Sequence, residues 1–128
     1  MRPDDATRVR HMRDAVAEAL KFTQGRTRVG LETDRMLAMA LMRELEVVGE
    51  AAAGVSAAYR ALHGEIPWKE MVAMRNRLAH GYFDVDLDLL WTTIQDDLPP
   101  LVSELARLVG GLPHGPADTA AARRRATG

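Results

Sequence analysis

The sequence predicts an all-α fold, a bundle of four to five helices, on three observations. Apolar residues recur three and four positions apart, no segment alternates as a β-strand does, and glycine and proline separate the periodic stretches. At 128 residues the chain can bury one core, and its 47% hydrophobic and 27% charged residues are normal for a globular protein. We therefore expect one helical domain over residues 1–109 and a flexible tail over residues 110–128.

The first predicted helix begins at Asp4 or Asp5, either of which could cap it, and ends near Gly25. Its helical spacing is carried by Val9, Met12, Val16, Ala19 and Thr23.

The second predicted helix starts near Thr33 or Asp34 and carries an apolar stripe. That stripe consists of Leu37, Leu41, Leu45, Val48 and Ala52. Met36, Met39 and Met42 add apolar surface around the helix and predict burial on more than one side. Gly49 and Gly54 predict that the helix bends or ends there, because glycine weakens a helix interior.

A short helix is expected from about Ser56 to Leu62, with Gly64 in the left-handed conformation that ends it. The third long helix is expected to start at Pro67, since proline suits the first helical position, and to end before Gly81.

The fourth helix is expected to open at Asp84 or Asp86 and has the most regular periodicity in the chain. Its apolar positions are Leu87, Trp91, Ile94, Leu98, Leu101, Leu105 and Leu108. Pro99 and Pro100 interrupt this pattern and predict a kink or break near Leu98. The phase continues across the prolines, so both halves are expected to face one core.

Composition excludes several classes of function. The net charge is −1 and there is no cysteine, so a globally basic nucleic-acid surface, a thiol nucleophile and a cysteine zinc site are not expected. No apolar run approaches the roughly 18 residues of a membrane span, and the start lacks the apolar region of a signal peptide. Asp84, Asp86 and Asp88 do not match a calcium loop. We expect a cytoplasmic protein with no membrane contact and no metal.

Arg75 is out of place on the third long helix. With about 100° per residue, it falls at about 40° from Met71, in an apolar arc that also holds Met74, Leu78, Ala79 and Val72. A guanidinium stays charged and needs an anionic partner or an open pocket. One interpretation is an internal ion pair, for example with Glu50. The other is a cleft or subunit interface where Arg75 binds a phosphate.

His80 follows Asn76 by four residues, so the two side chains share a helical face and the amide could orient the imidazole. An ideal helix separates Arg75 and His80 by about 140°. They meet on one substrate only if the helix loosens before Gly81 or a second subunit completes the site.

The string Arg75-x4-His80-Gly81-Tyr82 resembles the signature of the HEPN superfamily, in particular its HepT-like toxin branch. The surrounding IPWKEMVAMRNRLAHGYFDVD, the later WTTIQDDLPPL and the earlier VVGEAA are similar to the same family, and the likeness covers about residues 8–109. The resemblance implies a homodimeric, metal-independent ribonuclease that needs no cofactor, with the motifs of both subunits facing one cleft.

By this resemblance, His80 acts as general base or acid on the ribose 2′-OH and the leaving oxygen. Arg75 holds the scissile phosphate and Asn76 assists or orients the histidine. In HepT-like systems a minimal nucleotidyltransferase antitoxin attaches AMP to the motif tyrosine, here Tyr82. Tyr82 could also simply pack over the helix end.

Two other functions stay open on the sequence. The chain could be a non-catalytic HEPN interaction module that binds a nucleotidyltransferase, although the presence of Arg75, Asn76 and His80 together argues against a decayed site. It could also be a plain structural bundle in which Arg75 pairs internally.

Overall fold

The computed structural model describes residues 3–78 and 85–112 and confirms the all-α fold. The bundle is built from four long helices: α1 (Pro3–Phe22), α3 (Arg35–Gly54), α5 (Trp68–Leu78) and α7 (Leu98–Gly110). Three short helices lie between them: α2 (Arg28–Thr33), α4 (Ala57–Leu62) and α6 (Leu87–Thr92). A π-helical turn, Thr93–Asp97, joins α6 to α7. Within the two described ranges no β-strand is present.

The core lies where α1 packs between α3 and α7, and α5 packs on another side of α3. The apolar spacing predicted for α1 and α3 is confirmed, because all of its positions are buried. The chain from residue 113 onward, which holds most of the predicted tail, lies outside the described part. Leu112, just after α7, is buried at the edge of the core.

α2 is an element that the sequence pattern did not predict. Thr27 caps it, since the Thr27 hydroxyl accepts a hydrogen bond from the Gly30 amide at 3.3 Å. Asp34 then ends α2 and caps α3 by accepting from the Leu37 amide at 3.0 Å, as predicted. Six residues are too few to show a helical period, which is why α2 escaped detection.

Asp5 is not the N-cap of α1, because α1 already includes Pro3 and Asp4. The Asp5 side chain is buried and its two oxygens accept hydrogen bonds from Ser56, one from the amide at 2.8 Å and one from the hydroxyl at 2.7 Å. The Ser56 hydroxyl in turn accepts from the Tyr59 amide at 3.3 Å and so caps α4. Asp5 therefore ties the start of α1 to the start of α4.

Of the two glycines at which this helix was expected to bend or end, Gly54 is the last residue of α3, whereas the helix does not end at Gly49. The left-handed cap expected at Gly64 is wrong. In the described ranges only Gly25 has a positive φ, 73°, and α4 instead ends with the His63 amide bonded to the Tyr59 and Arg60 carbonyls.

The methionines of α3 divide between core and surface. Met42 is buried, whereas Met36 is 83% and Met39 40% exposed, so the expected burial on more than one side is wrong for these two. They lie on the face of α3 that no long helix covers.

The kink or break predicted near Leu98 takes the form of a π-helical turn directly before α7, whose first turn contains Pro99 and Pro100. The backbone stays helical across this junction, so the chain does not break there. The π-helical turn before the prolines adds a residue to one turn and shifts the phase of the buried face. As a result Leu90 is fully buried, while Leu87 and Trp91, predicted for the core, are only partly buried.

Candidate functional site

α5 carries the first half of the motif, and aromatic contacts fix where it begins. The Trp68 indole Nε1 donates a hydrogen bond to the His63 carbonyl at 2.9 Å. Tyr59 packs edge-on against Trp68 with ring centroids 6.3 Å apart. The helix therefore starts from a fixed point at the end of α4, within one residue of the predicted Pro67.

The buried side of α5 is a narrow stripe made of Met71, Met74 and Leu78. The stripe faces α3 at Gly49, where the two backbones approach closely. A Cβ atom on Gly49 would lie 3.1 Å from the Met71 carbonyl oxygen and 3.4 Å from that of Val72. Gly49 thus allows the close helix contact that sets the position of α5.

The apolar arc predicted on α5 is narrower than expected. Val72, placed in that arc by the sequence, is 38% exposed, and Asn76 is exposed as well. Position 75 falls between buried Met71 and exposed Val72 on the helix, at about 40° from the first and about 60° from the second. Arg75 is therefore at the edge of the buried stripe and not at its centre.

The rest of the motif follows the last described residue of α5. His80 and Tyr82 lie outside the described residues, as does Asp84, so their predicted roles stay predictions. The chain on either side is held together, because the Asp86 amide donates to the Leu78 carbonyl at 2.9 Å. The sequence pattern did not predict this hydrogen bond.

Asp86 has a second role as the N-cap of α6, accepting from the Leu89 amide at 2.9 Å. Of the two predicted caps, the structure thus selects Asp86. Asp88 is exposed and pairs with Arg28 of α2 at 2.7 Å, which fastens α6 to α2. The acidic residues after the motif are structural where they are described.

Glu50 does not supply the buried carboxylate that an internal ion pair with Arg75 needs. Its side chain is 71% exposed, and its carboxylate lies 3.9 Å from the Arg43 guanidinium. A charged pair gains strength from burial, and a solvated partner offers little of it. The Arg75 side chain lies outside the described part of the structure, so its pairing with Glu50 stays a prediction, and any such pair would be exposed to solvent.

A groove of about 370 Å³ runs between α5 and α7. Its floor is apolar, and its rim is acidic: Glu65, Glu70, Asp96, Asp97 and Glu104. Arg77 also lines it. Arg107 bonds Glu65 at 2.6 Å and Glu104 at 2.9 Å. A backbone hydrogen bond and then Arg107 lower the pKa of Glu65, so this rim is negative at neutral pH. We call it the acidic groove.

Neither a metal site nor a membrane span is found in the part of the chain that the structure describes. No three histidine or carboxylate side chains there are grouped to hold a metal ion. No helix there is long and apolar enough to cross a membrane.

Comparison with known proteins gives one family. The model of the HepT-like ribonuclease family matches residues 12–108. A probable ribonuclease HepT from Thermococcus cleftensis is 38% identical over 97 residues, which is 73% of this chain and 88% of that protein. A putative RNase from Methanocaldococcus jannaschii is 33% identical over 72% of this chain and 84% of its own length. No solved structure matches significantly.

Another Methanocaldococcus jannaschii protein, described as a gamma-glutamylcyclotransferase and putative RNase, is 31% identical over 85% of this chain. The match covers 49% of that relative, so the chain spans about half its length.

The family model and these relatives place the all-α chain in the ribonuclease class. The chain belongs to the HepT-like ribonuclease family. The predicted family and the predicted enzyme class, an endoribonuclease, are confirmed.

Proposed function

We propose that the chain is the toxin of a toxin–antitoxin module and cleaves RNA by internal attack of a ribose 2′-OH. The observation that carries this proposal is the string Arg75-x4-His80-x-Tyr82 at the end of α5 in a chain of the HepT-like ribonuclease family. The hydrogen bond from the Asp86 amide to the Leu78 carbonyl supports it, because this bond holds together the described residues on either side of the rest of the motif segment.

In the proposed reaction the 2′ oxygen forms a bond to phosphorus and the bond from phosphorus to the 5′ oxygen breaks. His80 takes the 2′-OH proton as base or supplies a proton to the leaving oxygen as acid. The products are a 2′,3′-cyclic phosphate and a free 5′-OH. Since the nucleophile belongs to the substrate, proximity is already supplied, and the protein adds proton transfer and charge stabilisation.

Arg75 stabilises the charge that develops on the scissile phosphate, and Asn76 orients His80. The exposed setting of Asn76 on α5 supports a role toward a ligand in place of the core. The helix position of residue 75, beside the buried stripe of α5 and not inside it, supports the proposal equally. The proposal needs no metal or cofactor.

The direct test is RNA cleavage by the purified chain in the presence of a chelator. We expect products ending in 2′,3′-cyclic phosphate, identified by mass spectrometry. His80→Ala should lower the rate by about 100- to 10,000-fold, the range of general acid–base catalysis. Wild-type protein that neither cleaves RNA nor arrests growth when induced would contradict the proposal and favour the non-catalytic interaction module.

Homodimerisation is part of the proposal, with the motifs of two subunits sharing a cleft. Val72 supports it, because a large apolar side chain is exposed on the flank of α5 next to position 75. Val72→Glu should lower the molar mass measured by light scattering from two chains toward one and reduce cleavage in parallel. Leu62→Glu is the matched control, since Leu62 is 74% exposed on α4. A monomeric and fully active wild type would contradict a shared cleft.

Regulation by a minimal nucleotidyltransferase antitoxin completes the proposal. The antitoxin transfers AMP from ATP to the Tyr82 hydroxyl, with pyrophosphate as the leaving group. After co-expression, intact-mass analysis should show added AMP that Tyr82→Phe abolishes. An unchanged mass, or an addition that persists in Tyr82→Phe, would remove Tyr82 from this role.

A further inference from the structure

A second concave surface lies beside the motif, between α2, α3 and the start of α6. It encloses about 220 Å³, and its walls include Leu31, Ala38, Val85 and Leu87. We call it the α2–α3–α6 pocket. It is smaller than the roughly 300–1,000 Å³ of a typical small-molecule site, so it suits one unit of a larger polymer.

The pocket adjoins the proposed cleavage site through the chain itself. Val85 lines it and is the first described residue after the motif segment. The next residue, Asp86, is hydrogen-bonded to the end of α5 through the Leu78 carbonyl. The pocket is therefore next to the end of α5, at the point where the described chain resumes after the motif segment.

Arg35 provides the positive charge of the pocket. It is exposed at the start of α3, and no described carboxylate pairs with it. Arg28 of α2 differs from Arg35, because its guanidinium is bound to Glu32 at 3.3 Å and to Asp88 at 2.7 Å. Glu32, which also lines the pocket, thus has a partner in Arg28, although it shares that guanidinium with Asp88, whereas Arg35 keeps its donors for a ligand.

The chemistry of the lining matches a single nucleotide. Single-stranded RNA is bound by cations along its backbone and by flat apolar surfaces against its bases. Arg35 supplies fixed donors for a phosphate, and the side chains of Leu31, Ala38 and Leu87 supply an apolar wall. The acidic groove between α5 and α7 lacks this combination, because the carboxylates of its rim repel phosphate.

We infer that the α2–α3–α6 pocket binds a nucleotide next to the scissile bond, with Arg35 on its phosphate and its base against the apolar wall. This inference rests on the proposed ribonuclease function and adds a specificity-determining residue to it. Arg35 acts in substrate binding and takes no part in the chemical step.

The test compares Arg35→Ala with Arg77→Ala on a short single-stranded RNA that the wild type cuts. Arg77 is also exposed but lines the acidic groove, so it is the matched control. Arg35→Ala should raise KM by about three- to tenfold with kcat within about twofold, as expected for one charge-assisted contact. The RNA affinity of Arg35→Ala should also depend less steeply on salt. The slope of the logarithm of the binding constant against the logarithm of salt concentration should be smaller by about 0.7. Arg35→Lys should restore that slope.

Oligonucleotides with one abasic nucleotide on either side of the cut test the apolar wall. We expect the abasic nucleotide at one of these positions to raise KM for the wild type. The same abasic nucleotide should not raise KM further in Leu87→Ser. The inference is overturned if Arg35→Ala and Arg77→Ala have the same KM and salt slope, or if neither abasic position matters.

Two controls separate this inference from its alternatives. Binding of a 2′-deoxy oligonucleotide, followed by fluorescence anisotropy, measures the pocket even if the wild type proves unable to cleave RNA. In that case the proposed function fails, while weaker binding by Arg35→Ala still supports the pocket. Light scattering on Arg35→Ala must give the wild-type mass, because a changed mass would assign the pocket to a subunit contact and overturn the inference.

Discussion

Two concave surfaces of the molecule differ in charge: α5 and α7 line one, and α2, α3 and the start of α6 line the other. The acidic groove carries carboxylates around an apolar floor, whereas the α2–α3–α6 pocket carries Arg35, with which no described carboxylate pairs, beside its apolar wall. On the proposal made above, RNA avoids the carboxylates of the first surface and binds at the second, because RNA is a polyanion. If that holds, the larger of the two cavities is not the one that takes the substrate.

The strongest test of this difference uses two arginines of α5 that are two positions apart. Arg75 is at the edge of the stripe toward Val72, while Arg77 faces the acidic groove. Arg75→Ala should lower kcat by about 100- to 1,000-fold, the loss typical of one group that stabilises transition-state charge. Arg77→Ala should change it by less than about twofold. Equal losses in a single-turnover cleavage assay would show that the two sides of α5 do not differ in function.

Gly49→Ala tests whether the position of α5 depends on close contact with α3. The added Cβ would meet the Met71 carbonyl at 3.1 Å, a rigid backbone atom. We expect a loss of about 1–3 kcal/mol in the free energy of unfolding, even though alanine favours helices over glycine by about 1 kcal/mol. Urea denaturation measures it. Gly110→Ala is the control, because nothing lies within 4 Å of a Cβ there. Equal stability of the two variants would mean that α5 can shift freely.

Glu44 provides a pH response on a third face, the contact between α1 and α3. Burial and then the nearby Glu18 raise the pKa of Glu44 from 4.5 to about 7. Because the pKa of Glu44 is higher in the folded than in the unfolded protein, its protonated form stabilises the fold. This stabilisation is complete below about pH 4.5 and is lost as pH rises through about 7. Glu44→Gln keeps an uncharged donor, so its Tm should exceed that of the wild type by a few degrees at pH 8.

The wild type and Glu44→Gln should have nearly equal Tm values at pH 5, measured by thermal unfolding. A difference of the same size at both pH values would show that the substitution acts through packing and not through titration. Since Glu44 touches neither concave surface, RNA binding by Glu44→Gln should match the wild type at pH 5.

The smallest effect is expected from the rim of the acidic groove. Asp96→Asn combined with Asp97→Asn removes two charges that face away from the proposed RNA path. KM for the RNA should stay within about twofold, since separated exposed charges are screened at physiological salt. A large drop in KM would reveal that RNA passes over this groove, and the contrast with Arg35 would disappear.

Much of the fold could be predicted because the spacing of apolar residues along the sequence indicates which side of each helix is buried. The buried positions of α1, α3 and α7 follow this spacing, and the helical irregularity near Leu98 follows from the chemistry of the two prolines. Features that depend on a partner far along the chain could not be predicted. Gly49 looked like a weak point in its own helix because its partner, the Met71 carbonyl, is 22 residues away.

The candidate site shows the same division. Resemblance supplied the motif residues, and the helix period indicated that Arg75 was unusual. The helical period predicted too wide an apolar arc on α5. It counted Val72 as a core residue because a valine is apolar in the sequence, but no part of the described structure buries it fully. Arg35 escaped notice, since only the fold brings α2 and α6 around it.

The contact between Asp5 and Ser56 makes one helix conditional on another. α4 has six residues, too few for a stable helix in isolation, and its capping serine is held by a carboxylate 51 residues earlier. When α1 detaches, α4 loses the group that fixes its first turn. Amide protons of α4 should therefore exchange with solvent in the same opening event as those of α1, so that the two form one cooperative unit.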